Sequence, residues 1–420
     1  MISRRSFLHA TAGAAVTACL PATSSARSAQ ASLNDDLLRW VDPRIGTGGH
    51  GHCFPGASVP FGAVQLSPDT FNDGWDWCSG YHISDSSIMG FSHTHLSGTG
   101  CGDLLDFLVM AGTGPVKIVS GTREDPGSSY RSRFSHDDEV MTPGFYSVTL
   151  KDYGIRAELT STERAGLHRY TFPASEEAYL VLDLQHCYGG AQNVRSAELM
   201  QRAPDTLAGS RITSAWDKGR HACCTLQVSK TPDRIVFYQN DQEVAAPPAS
   251  LTGKNLKCVL HFKTRAGEAI LVKTGISAVS ATAAGNKLKH EIPGWDFESI
   301  RAQAQELWRR QLSKIRVTTN NDAHKKTFYT GIYHMSLGPK LFDDVDGRYR
   351  GMDARSTSCQ MASTTTQPFR PGTPIAPRIR RTRSLSLRVC PTSPTRLYAW
   401  PSRARQACRC GRSTAPRQAP

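Results

Sequence analysis

The runs Phe145-Tyr-Ser-Val-Thr-Leu150, Ile155-Arg-Ala-Glu-Leu159 and Ala165-Gly-Leu-His-Arg-Tyr-Thr-Phe172 alternate apolar and polar residues, the signature of β-strands with one face buried. Further runs of β character follow at residues 179–184, 224–228, 234–238, 257–263 and 269–279. Turn clusters such as Tyr188-Gly-Gly190 and Lys218-Gly-Arg220 separate them. Many short strands without helical pattern between them predict an antiparallel β-sandwich, which we place within residues 32–285.

After the last run the period changes. Residues 295–315 place Phe297, Ile300, Ala304, Leu307, Trp308 and Leu312 on one helical face. A second helix is expected after Asn321-Asp322, residues of capping type, with Phe328, Tyr329, Ile332, Tyr333, Met335 and Leu337 before Gly338-Pro339 stops it. Two helices with one apolar face each read as the opening of a helical domain over residues 286–353, and they predict an exposed apolar patch.

Residues 354–420 hold thirteen Arg and nine Pro with no Lys, Asp or Glu, a composition that cannot bury enough apolar surface to order itself. Two readings fit. One is a natural basic, disordered tail; the other, which we favour, is a shifted reading frame in a GC-rich gene. Out of frame, suitable codons for residues 359–380 permit a string rich in aromatics and acids that would continue a helical domain.

At the other end, Met1-Ile-Ser-Arg-Arg-Ser-Phe-Leu leads into an apolar segment and a small-x-small site at Ala29-Gln30-Ala31, predicting an export signal over residues 1–31. Its S-R-R-x-F-L pattern resembles a twin-arginine signal, and Val16-Thr17-Ala18-Cys19 leaves a lipid anchor at Cys19 open as an alternative. The expected location is therefore periplasmic or extracellular. No other apolar run reaches the roughly 18 residues needed to span a bilayer.

The net charge of +14 suggests a polyanion partner until it is located. Three Arg lie in residues 1–31 and thirteen in 354–420; without those sixteen the charge of residues 32–353 is −2. A body near neutrality excludes nucleic acid as the expected ligand. Seven Cys remain between the two ends, Cys53, Cys78, Cys101, Cys187, Cys223, Cys224 and Cys258, an odd number at irregular spacing and no disulfide framework.

Residues 46–106 carry no period at all: glycine is dense, with Trp, His, Asp and Tyr interleaved. We read this stretch as functional loop rather than scaffold. Within Asp73-Gly-Trp-Asp-Trp-Cys78, the residues Trp75, Asp76, Trp77 and Cys78 are candidates for sugar contact. An indole stacks on the apolar face of a pyranose while neighbouring carboxylates accept from its hydroxyls. The alternative is that both Trp are sandwich core. His93-Thr94-His95 and His50-Gly51-His52-Cys53 could suggest a transition metal, but H-x-H on a loop lacks the acidic or Cys pair that would complete a site. His93 and His95 are expected instead to donate hydrogen bonds within the loops or to sugar hydroxyls.

These motifs, D-P-R-I-G-T-G-G-H-G-H, F-P-G-A-S-V-P-F-G, D-G-W-D-W-C-S-G-Y-H and G-F-S-H-T-H-L-S-G-T-G, resemble the N-terminal region of glycoside hydrolase family 92, exo-acting α-mannosidases. Y-T-G-I-Y-H-M-S-L-G-P-K-L-F-D-D-V-D-G-R-Y-R-G-M-D, residues 329–353, resembles the opening of that family's catalytic domain. The resemblance implies a β-sandwich followed by an (α/α)6 barrel, here incomplete, and a calcium-dependent inverting mechanism on mannose-containing glycans. It implies that Asp344, Asp346 and Arg348 meet substrate hydroxyls at the domain junction. It also implies that both catalytic carboxylates and most calcium ligands come from the barrel beyond residue 353. The chain is then expected to be inactive alone, with a mannose-binding module as the alternative.

Overall fold

A computed structural model of the chain describes residues 36–245, 247–351, 355–358 and 366–367; the expected signal and most of the Arg/Pro-rich tail lie outside them. Two antiparallel sheets form the body. The first has eight strands in the order Ala57–Ser58, Gln65–Asp69, Gly90–Ser92, Leu108–Thr113, Ser175–Asp183, Leu256–Thr264, Arg234–Gln239 and Gln242–Glu243. The second has nine: Leu251–Gly253, Val194–Ala203, Thr206–Thr213, Arg220–Val228, Glu268–Ser277, Ala165–Phe172, Ile155–Ser161, Phe145–Leu150 and Val140–Thr142.

The alternation legible in the sequence sets which side chains meet between the sheets. Ile155, Ala157 and Leu159 point inward with Tyr146, Val148 and Tyr170, and they share one core with Leu66, Phe91 and Val109 of the first sheet. Phe91 lies 6.4 Å from Tyr146 and 6.1 Å from Tyr170 between ring centroids, within the range of aromatic pairing. On the opposite face Arg169 sits directly across from Glu158, its Nε 2.6 Å from Oε2.

That outer face is not solvated. Helices α1 (Ala281–Glu291) and α2 (Phe297–Leu312) cover it, burying Ala165, Leu167, Leu288, Ile292, Phe297 and Ile300 together. Ser280 caps α1 by accepting from Ala283 N, and Asp296 caps α2 by accepting from Ser299 N. Helix α3 (Asp322–Met335), capped by Asn321, packs with α2 on the lead-in residues Leu37, Leu38 and Val41. Some apolar side chains stay outside on these helices: Leu307, Phe328 and Met335 are 36%, 37% and 77% exposed.

One expectation needs correction, and two further elements carry no reading in the sequence. Residues 46–106 are not all loop, since Gln65–Asp69 and Gly90–Ser92 are fully buried strands inside the first sheet. Polar residues at Gln65, Ser67 and Asp69 hid them, because buried polar partners rather than apolar alternation hold these positions. The paired strands Val194–Ala203 and Thr206–Thr213 went unread. So did α1, which starts inside the span assigned to the sandwich and buries Lys287 in its apolar face.

Candidate functional site

Five loops at one end of the sandwich are stitched to one another by their own backbone. Gly98 N donates to His52 O at 2.8 Å, Gly189 N to Asn72 O at 2.6 Å, and Tyr188 N to Leu104 O at 3.3 Å. Asn72 Nδ2 donates to Cys187 O, and Asp217 N to Asp103 Oδ2 at 2.8 Å. Residues 46–53, 71–80, 94–106, 184–193 and 214–219 thus make one surface.

Trp75 stands out on it. A single 3-10 turn, Trp75–Trp77, lifts the indole so that it is 58% exposed. From behind, His52 meets it edge-on at 5.0 Å, and Gly100 lies so close that a Cβ there would fall 2.2 Å from Trp75 Cη2. Beside it Asp76 Oδ1 is 2.5 Å from His50 Nδ1, an exposed pair, and Tyr188 OH donates to Gly74 O at 3.1 Å. An exposed aromatic face with a carboxylate and a hydroxyl at its rim has the chemistry of a sugar platform.

Trp77 has a different setting. Its Nε1 donates to Asp85 Oδ2 at 2.7 Å, the Arg123 guanidinium covers its ring at 4.4 Å, and Phe71 meets it edge-on at 5.4 Å. It braces the turn that presents Trp75. Cys78 is buried with its thiol 3.9 Å from Tyr188 OH, and burial raises its pKa above the ordinary value.

His93 and His95 are both fully buried one layer below. His95 Nε2 meets Asp69 Oδ1 at 2.8 Å and its Nδ1 meets Gln65 O at 2.6 Å; His186 Nε2 reaches the other oxygen of Asp69 at 2.8 Å. His93 Nδ1 meets Phe107 O at 2.8 Å, and its Nε2 lies 3.0 Å from His168 Nε2. Of the two roles expected for these histidines, hydrogen bonding within the loops is the one this arrangement makes; sugar contact is not, because no ring nitrogen faces outward.

Sequence reading missed the charged layer between them. Asp106, 0% exposed, receives Arg211 Nη2 at 2.6 Å, Arg220 Nη2 at 2.5 Å and Thr94 Oγ1 at 2.6 Å. Burial alone would raise its carboxyl, but Arg220 and Arg211 outweigh it and hold the group well below the usual range. Arg211 also donates to Leu184 O, His186 O and Leu105 O, tying two loops to one guanidinium. Lys340 donates to Gln65 Oε1 and His95 O, and burial, with Arg220 nearby, pushes its ammonium down to about 7. Asp103, Trp216 at 52% exposure, and Asp217, whose carboxyl is raised by burial, complete this side.

The Asp343–Arg350 turn is anchored separately. Asp343 Oδ1 is 2.9 Å from Arg164 Nη2; Asp344 Oδ1 is 2.6 Å from Lys287 Nζ and its Oδ2 accepts from Ser277 Oγ at 2.9 Å. Asp344 is 2% exposed and pins the turn to α1, whereas Asp346 and Arg348 pair with each other at 2.8 Å on the outside. The structure does not bring these residues into contact with the Trp75 turn.

Among the described residues no group of three or more His, Cys, Asp or Glu side chains is placed to hold a metal ion. The three Asp of the junction turn face Arg164, Lys287 and Arg348 rather than one another, so they do not fit calcium, which takes six to eight converging oxygens.

Comparison with known proteins gives consistent matches. The profile of the glycosyl hydrolase family 92 N-terminal domain matches residues 40–277, and that of the family 92 catalytic domain matches residues 283–368. A family GH92 alpha-mannosidase of Bacteroides thetaiotaomicron, solved also in complex with mannoimidazole, is 40% identical with a TM-score of 0.76, over 79% of this chain and 45% of that one. The family GH92 glycosyl hydrolase ccman5 is 27% identical with a TM-score of 0.70, over 80% and 45%. A protein of Arthroderma benhamiae described as an uncharacterized secreted glycosidase is 26% identical over 341 residues, 74% of this chain and 42% of its own. The chain spans less than half the length of each of these relatives.

Proposed function

The chain belongs to glycosyl hydrolase family 92, and on that premise we propose that its loop end forms one wall of an α-mannoside pocket in a calcium-dependent, inverting exo-α-mannosidase. One observation carries the reading: the Trp75 indole is 58% exposed on a braced turn, with Asp76 at its rim. Mannoimidazole bound to the 40% identical relative supports a mannose-type ligand. In the same reading residues 32–285 are the sandwich domain, 286–353 open the catalytic domain, and residues 1–31 direct export, for which the secreted relative is support.

The chemistry of inversion needs a carboxylic acid and a carboxylate about 6.5–9.5 Å apart on opposite sides of the sugar. Behind this wall Asp69, Asp85, Asp103 and Asp106 are engaged by His95 and His186, by Trp77 and Arg123, by the Asp217 amide, and by Arg211 and Arg220. Carboxylates so held serve structure, and we assign the acid, the base and the calcium ligands to the catalytic domain outside the described residues. Incubated with aryl α-mannosides and calcium, purified chain is expected to release no aglycone; measurable turnover refutes the assignment.

A second reading, a mannose-binding module without catalysis, draws on the same exposed indole. Calorimetry with mannose that detects binding, and its loss in Trp75→Ala, would establish it.

A further inference from the structure

Beneath Trp75 lies a side chain that nothing in the site so far employs. His52 is 6% exposed, and both its ring nitrogens are shut off from solvent with no hydrogen-bond partner among the described residues. Its neighbours are better provided. His50 Nδ1 meets Asp76 at 2.5 Å and His82 Nδ1 meets Ser84 Oγ at 2.7 Å, so of these three only His52 has both nitrogens unmet.

The position of the ring is fixed by its backbone. His52 sits in the left-handed region at φ 52°, and its carbonyl is held by Gly98 N. An unpaired buried imidazole and a left-handed non-glycine residue are each unfavourable, and such features persist where function retains them. Burial lowers the pKa of this imidazole, which leaves it neutral with one N–H to give and one lone pair to receive. A hydroxyl can satisfy either nitrogen.

Trp75 is what covers it, at an interplanar angle of 89°. The indole is more than half exposed and follows Gly74 at φ 84°, a backbone free of Cβ restraint. We propose that His52 is the hydrogen-bonding floor of the mannoside site and Trp75 its movable cover. The indole turns aside, an imidazole nitrogen takes a ring hydroxyl of the sugar, and the indole closes on the pyranose face. This rests on the mannoside reading above.

The test uses the whole 420-residue chain and methyl α-mannoside, with calorimetry, thermal unfolding and tryptophan emission as readouts. His52→Phe loses no hydrogen bond, so it is expected to stay folded with a melting temperature within a few degrees of the wild type while binding at least tenfold more weakly. His52→Asn, whose side chain tolerates the left-handed backbone, is expected to show the same weakening and controls for strain. Wild-type emission shifts on adding the sugar, and Trp75→Ala removes the shift. A folded variant of either kind that binds within twofold of wild type overturns the proposal, as does a variant that melts lower with binding kept, since that is a structural histidine. Absence of wild-type binding by every readout overturns the mannoside reading itself and this inference with it.

Discussion

Two glycines set the shape of the loop surface by what they lack. A Cβ on Gly100 would fall 2.2 Å from Trp75 Cη2, and one on Gly102 would fall 1.8 Å from Tyr188 Cε1. Trp75 is exposed on its far side and can give way, so Gly100→Ala is expected to leave the melting temperature within a few degrees while displacing the indole and weakening mannoside binding several-fold. Calorimetry and a thermal scan on one preparation check both halves. Asp106 behaves oppositely, because its role is internal. Asp106→Asn leaves the fully buried Arg211 and the inner end of Arg220 without their countercharge, and breaking a buried pair from one side costs about 3–5 kcal/mol. The exposed Arg310–Glu306 pair on α2 is worth well under 1 kcal/mol by comparison. Urea unfolding of Asp106→Asn and Glu306→Ala side by side should separate them clearly; equal midpoints would sink the argument.

Helix α2 joins the sandwich to helix α3, and one residue dominates that joint. Trp308 is fully buried, donates from Nε1 to Ser58 O at 2.7 Å, and packs on Tyr333 at 4.7 Å. Trp308→Ala is expected to cost about 3–5 kcal/mol as a large-to-small core change, whereas Trp308→Phe should recover most of it and lose about 1 kcal/mol with the hydrogen bond. Chemical denaturation of both variants measures the split. This helix was legible in the sequence because Phe297, Ile300, Ala304, Trp308 and Leu312 recur at helical spacing and all are buried. Leu307 shares the stripe but lies at its edge and stays 36% exposed. Helix α1 was not legible, because its buried face includes Lys287, whose partner Asp344 comes from a distant turn. The same limit governed the site. Trp75 and Asp76 stand out by composition within one short run, whereas Asp106 with Arg211 and Arg220, or His52 beneath Trp75, become a unit only when separate loops converge.

The two sheets are joined through the core by a line of hydrogen bonds that admits one proton arrangement. Phe107 O can only accept, so His93 Nδ1 carries its proton and His93 Nε2 is left as an acceptor. His168 Nε2, 3.0 Å away, must then donate, which leaves His168 Nδ1 to accept from Tyr170 OH at 2.9 Å. Both rings are neutral, and a proton added to either would set two N–H groups against each other. Accordingly, burial holds His93 down to about 4, and burial with His93 alongside holds His168 low as well. The folded values lie below the unfolded 6.5, so between these limits the unfolded chain binds more protons. The contribution of this pair is therefore complete above about pH 6.5 and is lost as the pH falls towards 4, by about 3 kcal/mol for His93 at 1.36 kcal/mol per unit. Asp106, whose carboxyl is held low, adds its loss only below the ordinary carboxylate range, and Glu139, whose carboxyl is raised by burial, opposes part of the fall. Melting temperatures measured at pH 7.5, 6.0 and 5.0 should decrease in that order. In His93→Gln, which keeps a donor for Phe107 O and does not titrate, the decrease between pH 6.5 and 5 should be shallower. A wild-type profile that is level from pH 7.5 to 5, or a variant profile as steep as the wild type, would show that this pair does not couple the sheets to pH.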